Sequence, residues 1–254
     1  MTVNFDDTNP MNKTTNPTIA FNPTLDTTIT NCSNSWTGSN TFTYTCDIAD
    51  ANIESTDIDI QVSGAKDAAG NTMSETFTES NKFDVDTIAP TVTATISPST
   101  RTAKVGDTIT ATLTAGGSQA DLSLSGTCTI NGVDVTHSFV NNTGGTYTLS
   151  YVIGEGNTDL ASGALPVSCT LVETSGNTVT LSSFETNELV IDANSPAAPA
   201  ITSIATDDKI NDSEKGAVVI IGTAEINATI SGTLTGEGDP VTVSGTANGD
   251  GNFS

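Results

Sequence analysis

The residues best suited to chemistry are acids that recur at fixed spacings. Asp86 in "FDVDTIAP" stands four positions before Pro90, Asp192 in "LVIDANSP" four before Pro196, and Asp6 in "NFDDTNP" four before Pro10. Upstream, "KDAAGN" and "VETSGN" each carry an acid, Asp67 and Glu173, three residues before a glycine. Gly70 to Asp86 and Gly176 to Asp192 are both 16 residues, so the two copies are offset by 192 − 86 = 106, and the preceding unit by 86 − 6 = 80. Carboxylates in such a pattern are candidate oxygen ligands for a hard cation. Asp84, beside Asp86, and Asp207 and Asp208, in the acidic run "TDDKINDSE", join the candidate set. That run lacks the spacing of an EF-hand loop. The plainer reading stays open: a turn aspartate at 67, a solvated linker acid at 86 and a solvated acidic loop after 206.

Four cysteines, Cys32, Cys46, Cys128 and Cys169, form no C-x-x-C, and His137 is the one histidine, which disfavours zinc. Two cysteines fall in each of the first two repeat units. That distribution points to one disulfide in each and to an oxidising compartment, with buried free thiols as the alternative. His137 is expected to lie in a strand, "VDVTHSF", with no nucleophile motif beside it, so catalysis has no foothold and the chain reads as a non-enzyme. Trp36, between Cys32 and Cys46, reads as a core or loop anchor.

The elements that must position these groups are strands. "TFTYT" (41–45), "TDIDIQV" (56–62), "SETFTE" (74–79), "TVTATI" (91–96), "TITATLT" (108–114), "TYTLSYV" (146–152) and "NTVTLSSF" (177–184) alternate with period two, as half-buried strands do. Asn131-Gly132 predicts a tight hairpin, and Gly70-Asn71 and Gly144-Gly145 predict other turns. Short strands in units near a hundred residues predict an all-β chain of tandem immunoglobulin-like sandwiches in an extended array, over 1–86, 87–192 and an incomplete 193–254. Proline after each linker acid would keep the chain extended where one unit enters the next.

Composition agrees with several small cores better than one large one: 35% of the 254 residues are hydrophobic and only 5% aromatic. With 7 Lys+Arg against 30 Asp+Glu, the formal net charge of −23 argues against binding nucleic acid or anionic membrane through a basic face. No apolar run approaches the length of a membrane span.

At this point a resemblance becomes visible. "VSGAKDAAGN" (62–71) followed by "VDTIAPTV" (85–92), together with "KVGDTITATLT" (104–114), closely resembles the tandem bacterial immunoglobulin-like repeats of giant, type I-secreted surface adhesins. "ATDDKINDSEKGAVVIIGTAEINATI" (205–230) is similar to the opening of a related repeat class in those proteins. The second unit departs from the pattern, with "VETSGN" and "IDANSP", but keeps its acids. The resemblance implies an extracellular extender at the bacterial surface, with calcium at the domain junctions, neighbouring repeats as partners, and host or biofilm ligands as adhesive targets. On this reading Asp67 with Asp86, and Glu173 with Asp192, are expected to lie at one end of a sandwich as calcium ligands. A self-assembling subunit of a filament, sheath or S-layer, working by strand exchange through the open third unit, is the rival expectation. Direct ligand or glycan binding is a third.

Overall fold

The computed structural model describes residues 1–6, 10–118, 121–186, 188–205, 207–235 and 239–254. With 52% of residues in strands and 2% helical, the chain is all-β with several sheets. It divides into two compact units: Met1–Ser99 with Ile109–Tyr151 and Ala164–Thr186, and Thr100–Thr108 with Val152–Gly163 and Asn187–Ser254.

The first unit begins with β1 (Thr2–Asn4), β2 (Thr18–Asn22), β3 (Ile29–Trp36), β4 (Thr41–Ile48), β5 (Glu54–Ser63) and β6 (Phe77–Asp86). They form two three-stranded antiparallel sheets, in the orders β1-β4-β3 and β2-β5-β6. Alternation in the sequence becomes alternation of burial: Ile58 and Val62 of β5 point inward, and Ile58 joins Leu25 and Val85 in a small core. Phe21 and Phe83 meet edge to face at 6.0 Å beside it. Phe42, fully buried, stacks its edge on Trp36 at 5.3 Å, and Phe5 covers Trp36 at 5.6 Å. Cys32 and Cys46 are bonded across β3 and β4, next to a bulge between Thr30 and Ser33.

The chain continues through β7 (Val92–Ser97), β8 (Thr100–Lys104), β9 (Thr108–Ala115), β10 (Ser123–Leu124), β11 (Thr129–Ile130), β12 (Val133–Asp134), β13 (Val140–Asn141), β14 (Thr146–Val152), β15 (Leu165–Val172), β16 (Thr178–Phe184) and β17 (Glu188–Asp192). One sheet runs β13-β14-β9-β7, and in another β15 pairs with β10, β11 and β16 while β11 also pairs with β12. The core follows the period-two pattern: Ile109, Ala111 and Leu113 of β9, Tyr147 and Leu149 of β14, and Leu165 and Leu171 of β15 are fully buried. Each large aliphatic buried this way is worth about 1.5–3 kcal/mol. Cys128 and Cys169 are bonded within this layer. The buried tyrosine hydroxyls are satisfied: Leu122 N–H donates to Tyr147 at 3.0 Å, and Asn131 Nδ2 donates to Tyr151 at 3.3 Å.

Asn131 and Gly132 both adopt positive φ, 51° and 79°, and close the two-residue hairpin between β11 and β12 that the sequence predicts. His137 differs from expectation. It sits in a 3-10 turn at Thr136–Ser138 rather than in a strand. Asp134 accepts the Thr136 N–H at 2.9 Å and the Ser138 hydroxyl donates to the Val135 carbonyl at 2.7 Å, and these local bonds outcompete a ladder.

In the second unit β8 and β17 pair in parallel, from Thr100↔Glu188 to Lys104↔Asp192, and Ala103, Leu189 and Ile191 are buried. Beyond them lie β18 (Ala200–Ile204), β19 (Ile220–Thr223), β20 (Thr229–Leu234), β21 (Val241–Thr246) and β22 (Asn252–Phe253). These form a β18-β19-β22 sheet and a β20-β21 hairpin. Glycine is required at 222, where a Cβ would come within 2.3 Å of both the Ala200 carbonyl and the Phe253 ring. From residue 193 onward the only buried hydrophobic side chains are the alanines 193, 205 and 247, among the described residues.

Candidate functional site

A five-residue loop occurs three times with the same hydrogen bonds. It spans Asp67 to Asn71, Glu173 to Asn177 and Asn248 to Asn252. The N–H of the first residue donates to the carbonyl of the fifth, at 3.0, 3.1 and 2.8 Å, and the glycine N–H returns to the first carbonyl at 3.0, 2.9 and 3.0 Å. The fourth position needs glycine because its φ is +94° at Gly70, +99° at Gly176 and +79° at Gly251. In the first and third loops the leading side chain also accepts the fifth N–H, Asp67 from Asn71 at 2.8 Å and Asn248 from Asn252 at 3.0 Å. Asp67 accepts the Asn71 amide as well, at 2.8 Å. These bonds, the Asn71 side chain first, hold the Asp67 carboxyl below its ordinary pKa. The sequence pattern finds the first two loops, whereas the third escapes it because asparagine replaces the acid.

The first two loops dock on the chain that precedes their own strands, whereas the third, through its Gly251 carbonyl, accepts the Ala224 N–H at 2.9 Å. Ala68 N–H donates to the Pro10 carbonyl at 2.8 Å and Met11 bridges Asp67. Likewise the Asn177 amide donates to the Asp86 carbonyl at 3.1 Å. The expected pairing of Asp67 with Asp86 is therefore corrected. In the β5–β6 hairpin Asp86 lies opposite Glu54, whereas Asp67 follows the end where Val62 meets Phe77. Nine residue steps of about 3.3 Å separate those ends, roughly 30 Å. Glu173, not Asp67, is the loop acid that shares surroundings with Asp86.

Around Asp86 a cleft of about 480 Å³ is lined by Glu54, Asp86, Asp121 and Glu173, with Ile88, Thr91, Gly116 and Ser175. Glu173 is buried at 5% exposure and Asp86 is half-buried. Asp121 accepts the Thr174 N–H at 3.0 Å, which lowers its carboxyl pKa, and Asp86 accepts the Ile88 N–H at 3.0 Å. Strand spacing identifies neither Glu54 nor Asp121: register brings the first to Asp86, and a loop contact brings the second. The donor chemistry suits a hard cation. The Asp86 and Asp121 carboxylates are, however, engaged locally. Among the described residues no three acids, histidines or cysteines are gathered closely enough to hold a metal ion.

The remaining candidates do not line this cleft. Asp84 is exposed and accepts the Asp57 N–H at 2.8 Å. Asp6 is exposed and its carbonyl accepts the Asn40 amide at 2.6 Å, while residues 7–9 of that linker lie outside the described residues. Asp192, also exposed, caps Asn194 N–H at 3.3 Å. The linker after Asp192 is tied by two acids that sequence reasoning did not single out. Asp159 accepts the Ala193 N–H at 2.8 Å and the Asn194 amide at 3.0 Å, and Glu155 accepts the Ser195 N–H and hydroxyl at 2.9 and 2.5 Å. The serine bonds hold the Glu155 pKa down. Asp207 and Asp208 cap their own turn, accepting the Lys209 and Ile204 N–H groups at 3.2 and 2.9 Å.

All four cysteines are in disulfides, Cys32–Cys46 and Cys128–Cys169. No helix among the described residues is long and apolar enough to cross a membrane. The chain matches no protein family, no curated protein sequence and no solved structure.

Proposed function

We propose that the chain is an extender segment of an extracellular bacterial adhesin, a series of immunoglobulin-like sandwiches at 1–86, 87–192 and 193–254 whose task is length and stiffness. The observation that carries this reading is the loop formed three times. Its copies begin at 67, 173 and 248, intervals of 173 − 67 = 106 and 248 − 173 = 75 residues. In the first two copies the loop grips the preceding linker, which limits bending where one repeat follows another, as a rod requires and a linker alone does not provide. Two disulfides are compatible with the extracellular setting.

Calcium is the ion whose oxygen preference suits the Glu54, Asp86, Asp121 and Glu173 cleft, and it would add stiffness by cancelling their mutual repulsion. Pulling the chain by its ends should give successive unfolding events separated by the length of one repeat. A single event for the whole chain contradicts the rod. A melt with calcium against one with EGTA reads the ion separately: equal midpoints remove calcium and leave the rod standing.

A second reading rests on the 193–254 segment. It contains eight of the fourteen exposed large hydrophobics among the described residues, including Ile201 at 62% and Val241 at 57%. An open cleft of about 580 Å³, lined by Ile201, Ile230, Leu234, Val243 and Phe253, separates its sheet from its hairpin. A strand from a neighbouring copy would complete such a cleft, making the chain a filament subunit. Filaments seen by electron microscopy of the purified chain favour this reading, and a monomer by light scattering at all concentrations rejects it.

A further inference from the structure

The two disulfides have similar Cα spacing and opposite accessibility. Cys32–Cys46 joins β3 to β4, and Cys128–Cys169 joins the residue before β11 to β15, with Cα atoms 4.1 Å and 4.4 Å apart respectively. Cys128 and Cys169 are 0% and 2% exposed. Cys32 is exposed and Cys46 half-buried. Cys32 belongs to β3, the outer strand of its sheet, in the bulge between Thr30 and Ser33, and the preceding Asn31 takes a φ of +49°. The bulge releases Cys32 from the ladder, and the whole stretch from Asn31 to Ser35 is exposed.

We propose that Cys32–Cys46 is a thiol-exchange site, attacked by an external small-molecule thiol at Cys32 Sγ, while Cys128–Cys169 is a sealed structural bridge. Exchange requires a thiolate to reach one sulfur, so with similar Cα spacing in the two bridges access decides both which bridge reacts and which of its sulfurs. The incoming thiolate bonds to Cys32 Sγ, and the disulfide electron pair leaves on Cys46 Sγ, which takes a proton from water. The products are a mixed disulfide on Cys32 and a free thiol at Cys46. A second equivalent of thiol releases Cys32 as a thiol and leaves as the small-molecule disulfide, so the electrons come from the thiol alone. The ladder between β3 and β4 runs from Ile29↔Ile48 to Trp36↔Phe42 independently of the bridge, so the sheet outlasts the reaction. These two strands carry one charged side chain, Asp47, in a chain of net charge −23, which favours neutral or cationic thiols over anionic ones.

The test treats the native 254-residue chain with cysteamine for increasing times, quenches with iodoacetamide and maps the peptides by mass spectrometry. Expected are alkylation of Cys32 and Cys46 at least about tenfold faster than of Cys128 and Cys169, and a transient cysteamine adduct on the Cys32 peptide. Equal rates, or earlier loss of Cys128–Cys169, overturn the exchange site, and an adduct confined to Cys46 overturns the direction of attack. A second measurement uses Cys46→Ser and Cys32→Ser with dithiodipyridine. The thiol left in the first variant should react about tenfold faster than that in the second, and the reverse order contradicts the proposal.

Discussion

At the scale of single residues, the loop glycines are the most exposed to disproof. A Cβ at Gly176 would meet nothing within 4 Å, so any cost of Gly176→Ala comes from its φ of +99° alone. We expect a loss of about 1–3 kcal/mol in urea unfolding, and no loss would mean that the loop does not need this backbone state. The acids make a second prediction. Asp67, Asp107, Asp121, Asp134 and Glu155 all have lowered pKa values, with hydrogen bonds to Asn71, the Lys104 N–H, the Thr174 N–H, Thr136 and Ser195 as the leading causes. On acidification the unfolded chain takes up these protons first, so stability falls as pH drops. The contribution is complete above about pH 5 and is lost below about pH 4, as pH passes through the folded values. Thermal midpoints measured at stepped pH should decline across that lower interval, and a rise there would contradict the hydrogen bonds described.

Among the elements, the two disulfides separate a short constraint from a long one. Cys32–Cys46 closes 14 residues and Cys128–Cys169 closes 41. Chain-entropy arguments give about 3 and about 4 kcal/mol respectively. Replacing each pair by serine should therefore leave the first variant the more stable of the two in denaturant titrations, and the opposite ranking would contradict this. The strands themselves were largely legible. Alternation at 41–45, 108–114 and 146–152 reads directly because one face is buried and the other carries hydroxyls, and β4, β9 and β14 start at those residues. The expected strand at 74–79 begins instead at Phe77 and runs to Asp86, because most of the intervening "TESNK" faces solvent and has no apolar alternation to mark it. The acid cleft was half legible. Asp86 and Glu173 are in the repeat pattern, whereas Glu54 and Asp121 come from distant chain positions that spacing along the sequence cannot relate. The sequence also misassigned the partner of Asp86, since which loop meets which linker depends on strand direction and not on residue counts.

Over the whole molecule, the parallel pairing of β8 with β17 has a consequence in time. Its register matches Thr100 with Glu188, a separation of 88 residues, whereas β15 and β16 meet across a five-residue loop. Closing the longer loop is entropically costlier and slower, so Thr100–Lys104 must wait as an unpaired strand until residues beyond 187 have found it. Pulse-labelled hydrogen exchange during refolding should show amides of β15 and β16 protected first, and those of β8 and β17 last and together. Protection of β8 ahead of β17 would reveal a temporary partner for it. For a chain delivered from its N-terminus, the segment around Ala103 is thus the stretch left longest without its partner, and it sets the earliest moment at which the second unit can close.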